Sequence, residues 1–156
     1  MAKKTNAVRI LQQQKIPHDL LEYSYDVKDL TVDGIARANN LSVDEIFKTL
    51  VLEGPAGITV AVIPGNQELN LKALAKSSGQ KKIAMLPMKE LLATVGYIRG
   101  GCSPIGMKKP FPVFLAQEAL ELERLYINAG QRGLFIHLAP QDLLQITKAK
   151  AVDITA

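Results

Sequence analysis

Apolar positions along this chain alternate between helical and strand spacing. Behind Thr5, a residue with N-cap chemistry, Ala7, Val8, Ile10 and Leu11 fall on one side of a predicted helix that runs to Gln14. Pro17 forces the chain out, and His18 to Tyr25 reads as a strand with alternating Leu21 and Tyr23. Thr31 opens a second helix with Ile35 and Ala36 inward, and Asn39-Asn40 supplies a C-terminal stop. Ser42-Val43-Asp44-Glu45 has the form of a capping box, which predicts a short turn. A strand over Ile46 to Leu52, a turn at Glu53 to Gly57 and an apolar strand over Ile58 to Ile63 then make a hairpin.

Further on, Asn70 caps a helix that Gly79 ends, Ile83 to Leu86 reads as a short strand, and Pro87 starts a helix to about Val95. Tyr97-Ile98-Arg99 is predicted as a strand, Pro112 to Leu115 as another, with a helix from about Gln117. Leu125 to Asn128 and Leu134 to Leu138 flank a hairpin turn, and Pro140 begins a last helix to Ile146, before a tail with Val152 and Ile154. Seven or so short strands among helices indicate an α+β fold, with a mixed sheet or partial barrel. With no linker, repeat or low-complexity stretch, residues 1–156 are expected to form one domain.

Lys48 is the anomaly in that pattern. Strand periodicity points it the same way as Ile46, Leu50 and Leu52, toward a core. An ammonium there must find a partner, reach water along its stem or shift its pKa, and an apolar cleft holding one cation suits an anionic ligand. The segment Gly100-Gly101-Cys102-Ser103-Pro104-Ile105-Gly106 is the second feature. Two glycines after a strand allow close backbone approach, and their N–H groups suit an anion or oxyanion; a tight strand exit without any ligand is the plainer alternative. The segment lacks the spacing of a nucleophile elbow or a Walker A loop.

Composition narrows the classes. Hydrophobic residues are 47% and charged residues 22%, a globular balance, and no apolar run nears the ~20 residues of a membrane helix. The basic start, Met1 to Asn6, is followed by no long apolar segment, so no secretory signal is read there. One cysteine, Cys102, and two distant histidines, His18 and His137, offer no disulfide and no metal-ligand spacing. A cytoplasmic protein with no metal and no cofactor is expected. Cys102 is read as a small buried hydrophobe, with a nucleophile as the alternative, and His137 as a structural histidine, with a base as the alternative. Charge is uneven: residues 1–68 hold seven bases and nine acids, 69–156 twelve and six, and Glu90 is the lone acid between Lys72 and Lys109. That stretch is either a set of solvated faces or a polyanion-binding surface.

Taken together, Phe47-Lys48-Thr49-Leu50, the Gly100–Gly106 loop and Gly130-Gln131-Arg132-Gly133-Leu134 resemble the YbaK-type aminoacyl-tRNA editing proteins, free-standing relatives of the insertion domain of bacterial prolyl-tRNA synthetase. The resemblance spans nearly the whole chain and leans toward the branch that removes cysteine mischarged on proline tRNA. It implies a mixed, largely antiparallel seven-stranded sheet curled into a partial barrel and flanked by helices. It also implies hydrolysis of Cys-tRNA(Pro), with Cys-tRNA(Cys) as a second substrate, at the 3′ acceptor end, with prolyl-tRNA synthetase as a further partner. The family's essential lysine falls on Lys48 and its glycine loop on Gly100, Gly101, Ser103 and Pro104; Gly101 shares the catalytic role with Lys48 through oxyanion-stabilising N–H groups. Tyr23, Thr49 and His137 are implied substrate contacts, His137 standing where relatives often carry an acid. The mechanism implied is attack by the substrate's own thiol. Deacylation of another small residue such as alanine, or tRNA binding without turnover, are the competing readings.

Overall fold

The computed structural model describes residues 4–156, so Met1 to Lys3 of the basic start lie outside the described residues. Thr5 caps α1 (Asn6–Gln13) by accepting from the Val8 N–H at 3.2 Å, and Ala7, Val8 and Leu11 are buried. Thr31 and Asn70 cap α2 (Val32–Asn39) and α3 (Leu71–Ser78) in the same way. Asn40 and Gly79 close these two helices in the left-handed conformation. These local signals act as expected. The short turn expected after Ser42 forms as a 3₁₀ turn at Val43–Glu45, although the Ser42 side chain makes no cap. The segment after Pro87 is likewise split, into a 3₁₀ turn and the five-residue α4 (Leu91–Val95), and the helix expected from Gln117 is a 3₁₀ turn. Pro140 stands at the first turn of α5 (Pro140–Thr147).

Eight strands form two sheets, which corrects the expected single sheet of seven. The smaller sheet has the order β1 (Asp19–Glu22), β7 (Leu134–Leu138), β6 (Leu125–Asn128), all antiparallel. The larger has the order β4 (Ala84–Met85), β2 (Phe47–Gly54), β3 (Gly57–Pro64), β5 (Val113–Ala116), β8 (Lys150–Val152). The β2–β3 hairpin is antiparallel over eight residue pairs, whereas β3–β5 and β5–β8 are parallel. Two sequence readings account for the difference. Tyr97-Ile98-Arg99 is turn and loop: the Tyr97 hydroxyl donates to the Ile105 carbonyl at 2.7 Å, which anchors that stretch without a ladder. The tail, with too few alternating positions to read as a strand, pairs with β5.

The sheets share one large core. Leu52, Ile63 and Leu115 of the five-stranded sheet and Leu125, Ile127, Leu134 and Ile136 of the three-stranded sheet are essentially inaccessible, with α1, α3 and α5 closing over them. Their edges meet at one parallel bridge, Ile46 with Tyr126, from which no ladder continues.

His137 lies on β7 and stacks on Tyr126, ring centroids 4.0 Å apart and 11° between planes. Its Nε2 is buried without a partner, and burial, aided by Arg124, holds the imidazole below its ordinary pKa. The unfolded chain therefore takes up a proton near pH ~6.5 that the folded chain refuses, so stability is full above that pH and is lost as pH falls through the folded value. In chemical denaturation from pH 7 to 5, His137→Phe should keep the stack and flatten this acid-side loss. Leu52→Ala, by contrast, should cost about 2–5 kcal/mol at every pH, because it empties a fully buried position.

Candidate active site

Where the two sheets part, a cavity of about 540 Å³ opens. Its floor is β2, and six consecutive residues, Ile46 to Val51, all line it. Strand side chains alternate, so one face alone could not present six in a row; the cavity runs along the strand's edge. That edge is free because β4 pairs with β2 only at Leu52 and Glu53. Lys48 is half-buried here. The single ion pair among the described residues joins Arg124 to Asp19, so Lys48 has no carboxylate in contact. Asn128, two residues beyond Tyr126 on β6, lines the same cavity as Lys48.

Asn128 ties the facing wall together. Its Nδ2 donates to the Tyr23 hydroxyl at 3.1 Å and to the Gly100 carbonyl at 2.9 Å, while its Oδ1 accepts from the Gly130 N–H at 2.7 Å. Tyr23 is buried, stacked on Phe135 at 4.0 Å, and burial raises its pKa, so its hydroxyl stays protonated. Arg132 Nε donates to the Arg99 carbonyl at 2.8 Å. The hairpin turn after β6 thus grips the glycine loop from both sides. Gly100 turns there with φ +80, and a Cβ on Gly101 would sit 3.1 Å from the Arg132 nitrogen and 3.2 Å from the Gln131 carbonyl carbon. Two backbones come close here, and a side chain at Gly101 would press the 131–132 turn back.

Four residues singled out from the sequence, Tyr23, Lys48, Thr49 and Gly100, therefore line one cavity. The other four stand elsewhere. The Gly101 N–H is spent on the Ile98 carbonyl at 2.9 Å, and the residue packs against the 131–132 turn rather than the cavity. Ser103 is wholly buried, its Oγ accepting from the Ile105 N–H at 3.2 Å, and Pro104 lines a separate cleft with Lys108 and Lys148. His137 stacks on Tyr126 outside the cavity wall. In place of Gly101, Cys102 lines the cavity, and neither its N–H nor that of Gly100 has a hydrogen-bond partner among the described residues. Burial pushes the Cys102 thiol up to about 12, which leaves it protonated and a poor nucleophile.

Sequence reasoning missed Asn128 and the lip of the cavity. Asn128 carries no signal beyond its place before Ala129-Gly130, where asparagine ordinarily serves a turn. Met85 and Met88, about half exposed, form the lip with Leu91, and Arg99 and the carboxylates Asp33 and Glu68 stand at the mouth. No group of acids, histidines and cysteine among the described residues has the arrangement of a metal site, and no described helix is long and apolar enough to cross a membrane.

Comparison with known proteins agrees in fold and sequence. An Enterococcus faecalis protein named "Putative Cys-tRNA(Pro)/Cys-tRNA(Cys) deacylase EbsC" is 49% identical over 154 residues, 98% of this chain and 94% of its own length. The proline–tRNA ligase of Shouchella clausii is 28% identical over 134 residues, covering 85% of this chain but 24% of the ligase. The crystal structure of "a putative trans-editing enzyme for prolyl tRNA synthetase" superposes with a TM-score of 0.83 at 21% identity, covering 99% of each chain, a likeness of fold. The sequence profile of the aminoacyl-tRNA editing domain matches residues 29–146, and the chain belongs to that family.

Proposed function

We propose that the chain, acting over residues 1–156 as one editing domain, is a trans-acting deacylase that hydrolyses the ester joining cysteine to the 3′ end of tRNA(Pro), with Cys-tRNA(Cys) as its second substrate. The observation that carries this reading is the lone ammonium of Lys48 beside a glycine loop in a cavity that offers no activated protein nucleophile. Ser103 lies outside that cavity with its Oγ engaged, the thiol of Cys102 stays protonated, and neither histidine lines the wall. The chemistry then falls to the substrate. The cysteinyl sulfur attacks its own ester carbonyl, a C–S bond forms as the C–O bond to the ribose breaks, and the thiol's proton ends on the departing ribose hydroxyl. Water opens the resulting thiolactone to free cysteine. The protein contributes positioning and charge.

Lys48 is suited to hold the terminal ribose or its phosphate. Of the loop's donors, the N–H groups of Gly100 and Cys102 remain unspent, so the oxyanion role first given to Gly101 passes to its neighbours, with Gly101 keeping the loop against the 131–132 turn. Tyr23 and Thr49 complete the contacts around the aminoacyl ester. The identity with the E. faecalis protein supports cysteine as the substrate amino acid, and the kinship with proline–tRNA ligase supports tRNA(Pro) and a working relation with prolyl-tRNA synthetase.

Lys48→Ala should lower the rate of Cys-tRNA(Pro) deacylation by about a hundredfold or more while leaving the thermal midpoint unchanged, since losing one such charge or donor typically costs ~3 kcal/mol. Wild-type turnover by that variant would overturn the mechanism. Cys102→Ala should retain deacylation, and Ser-tRNA(Pro), which lacks the thiol, should resist hydrolysis. Rapid release of alanine with cysteine left intact would reassign the substrate, and salt-sensitive tRNA binding without turnover would make the chain a binding module.

A further inference from the structure

The free edge of β2 carries unspent main-chain groups. The Ile46 carbonyl accepts from the Gly65 N–H at 2.8 Å on the β3 side, and the Val51 carbonyl accepts from the Leu86 N–H at 3.0 Å on the opposite side. The β2–β3 register runs without a bulge from Phe47 to Gly54, so main-chain groups alternate edges residue by residue. Phe47 and Thr49 therefore direct theirs with Val51, away from β3 and into the cavity. Neither the Phe47 carbonyl nor the N–H and carbonyl of Thr49 have another partner among the described residues, and Thr49 Oγ1 is also buried without one. Unpaired main-chain groups on a cavity wall are matched to a ligand that supplies the missing bonds.

The geometry points to the ligand's chemistry: the strand edge at Phe47–Thr49 reads the adenine base of the substrate's terminal nucleoside. This rests on the deacylase reading and names which part of the substrate the β2 edge takes. A carbonyl at one residue and an N–H two residues on present an acceptor and a donor side by side. Adenine offers the complement, its N6 amino group donating to the Phe47 carbonyl and its N1 accepting from the Thr49 N–H. Guanine and hypoxanthine place an acceptor and a donor in the reverse order and would meet both groups wrongly. The Met88 side chain, 57% exposed on the lip, offers a polarizable surface for the flat ring. The free edge spans only the few residues between the Ile46 bridge and the β4 pairing at Leu52, too short to seat an added peptide strand. With the base at this edge, the ribose and its ester extend toward Lys48 and the glycine loop.

Titration of the ¹⁵N-labelled full chain with adenosine and, separately, inosine tests this. Adenosine should shift the Thr49 amide resonance saturably at millimolar concentration, and inosine should bind at least about fivefold more weakly, the effect of one mispaired base edge. Met88→Ser should weaken adenosine binding. Equal affinity for the two nucleosides, or no Thr49 shift at about 10 mM adenosine, overturns the assignment. The wild-type comparison needs no variant to fold. Cys-tRNA(Pro) turnover by the same preparation separates the two proposals: turnover without adenosine preference sinks only the base reading, and adenosine preference without turnover sinks only the deacylase reading.

Discussion

One parallel bridge, Ile46 to Tyr126, governs the geometry of this molecule. It holds the edges of two sheets together at a point and lets them part on one side. Had β2 and β6 stayed paired along their length, the main-chain groups of Phe47 and Thr49 would be consumed in a ladder and no cavity would exist. Had the sheets not met, Lys48 on one strand and Asn128 on the other would not line one cavity. This junction thus fixes where two half-sites converge, and the shared core beneath it keeps the gap from closing.

The walls are rigid for different reasons. On the β2 side, rigidity comes from the long hairpin with β3, both strands buried in the core. On the loop side it comes from polar contacts: Asn128 at the end of β6 and Arg132 in the turn after it hold the successive carbonyls of Gly100 and Arg99. Backbone held by side chains in this way spends little of its ordering cost when a ligand arrives, which is what positioning an ester against a nucleophile demands.

How much of this was legible depends on the range of the interaction. Caps at Thr5, Thr31 and Asn70 are decided within four residues and read correctly from the chain. Lys48 also reads, because an ammonium amid Ile46, Leu50 and Leu52 breaks a local pattern. The division into two sheets does not read: it is decided by Tyr97 bonding to Ile105 instead of joining a ladder, and by the tail pairing with β5 across 36 residues, as Ala116 does with Val152. The choice between the two adjacent glycines turns on one positive φ at Gly100, which leaves its neighbour facing the 131–132 turn. His137 was placed on the right element, but strand periodicity alone does not say that Tyr126 covers it.

The direction of the bonds around Tyr23 has a consequence of its own. Asn128 has its carbonyl oxygen committed to the Gly130 N–H, so its amide orientation is fixed and it can only give hydrogens to the phenol oxygen. The phenol's own hydrogen then has no claim on it from that neighbour, and a high pKa keeps it attached. Tyr23 thus stands at the back of the cavity with its one hydrogen uncommitted to Asn128, free to meet a lone pair placed against it.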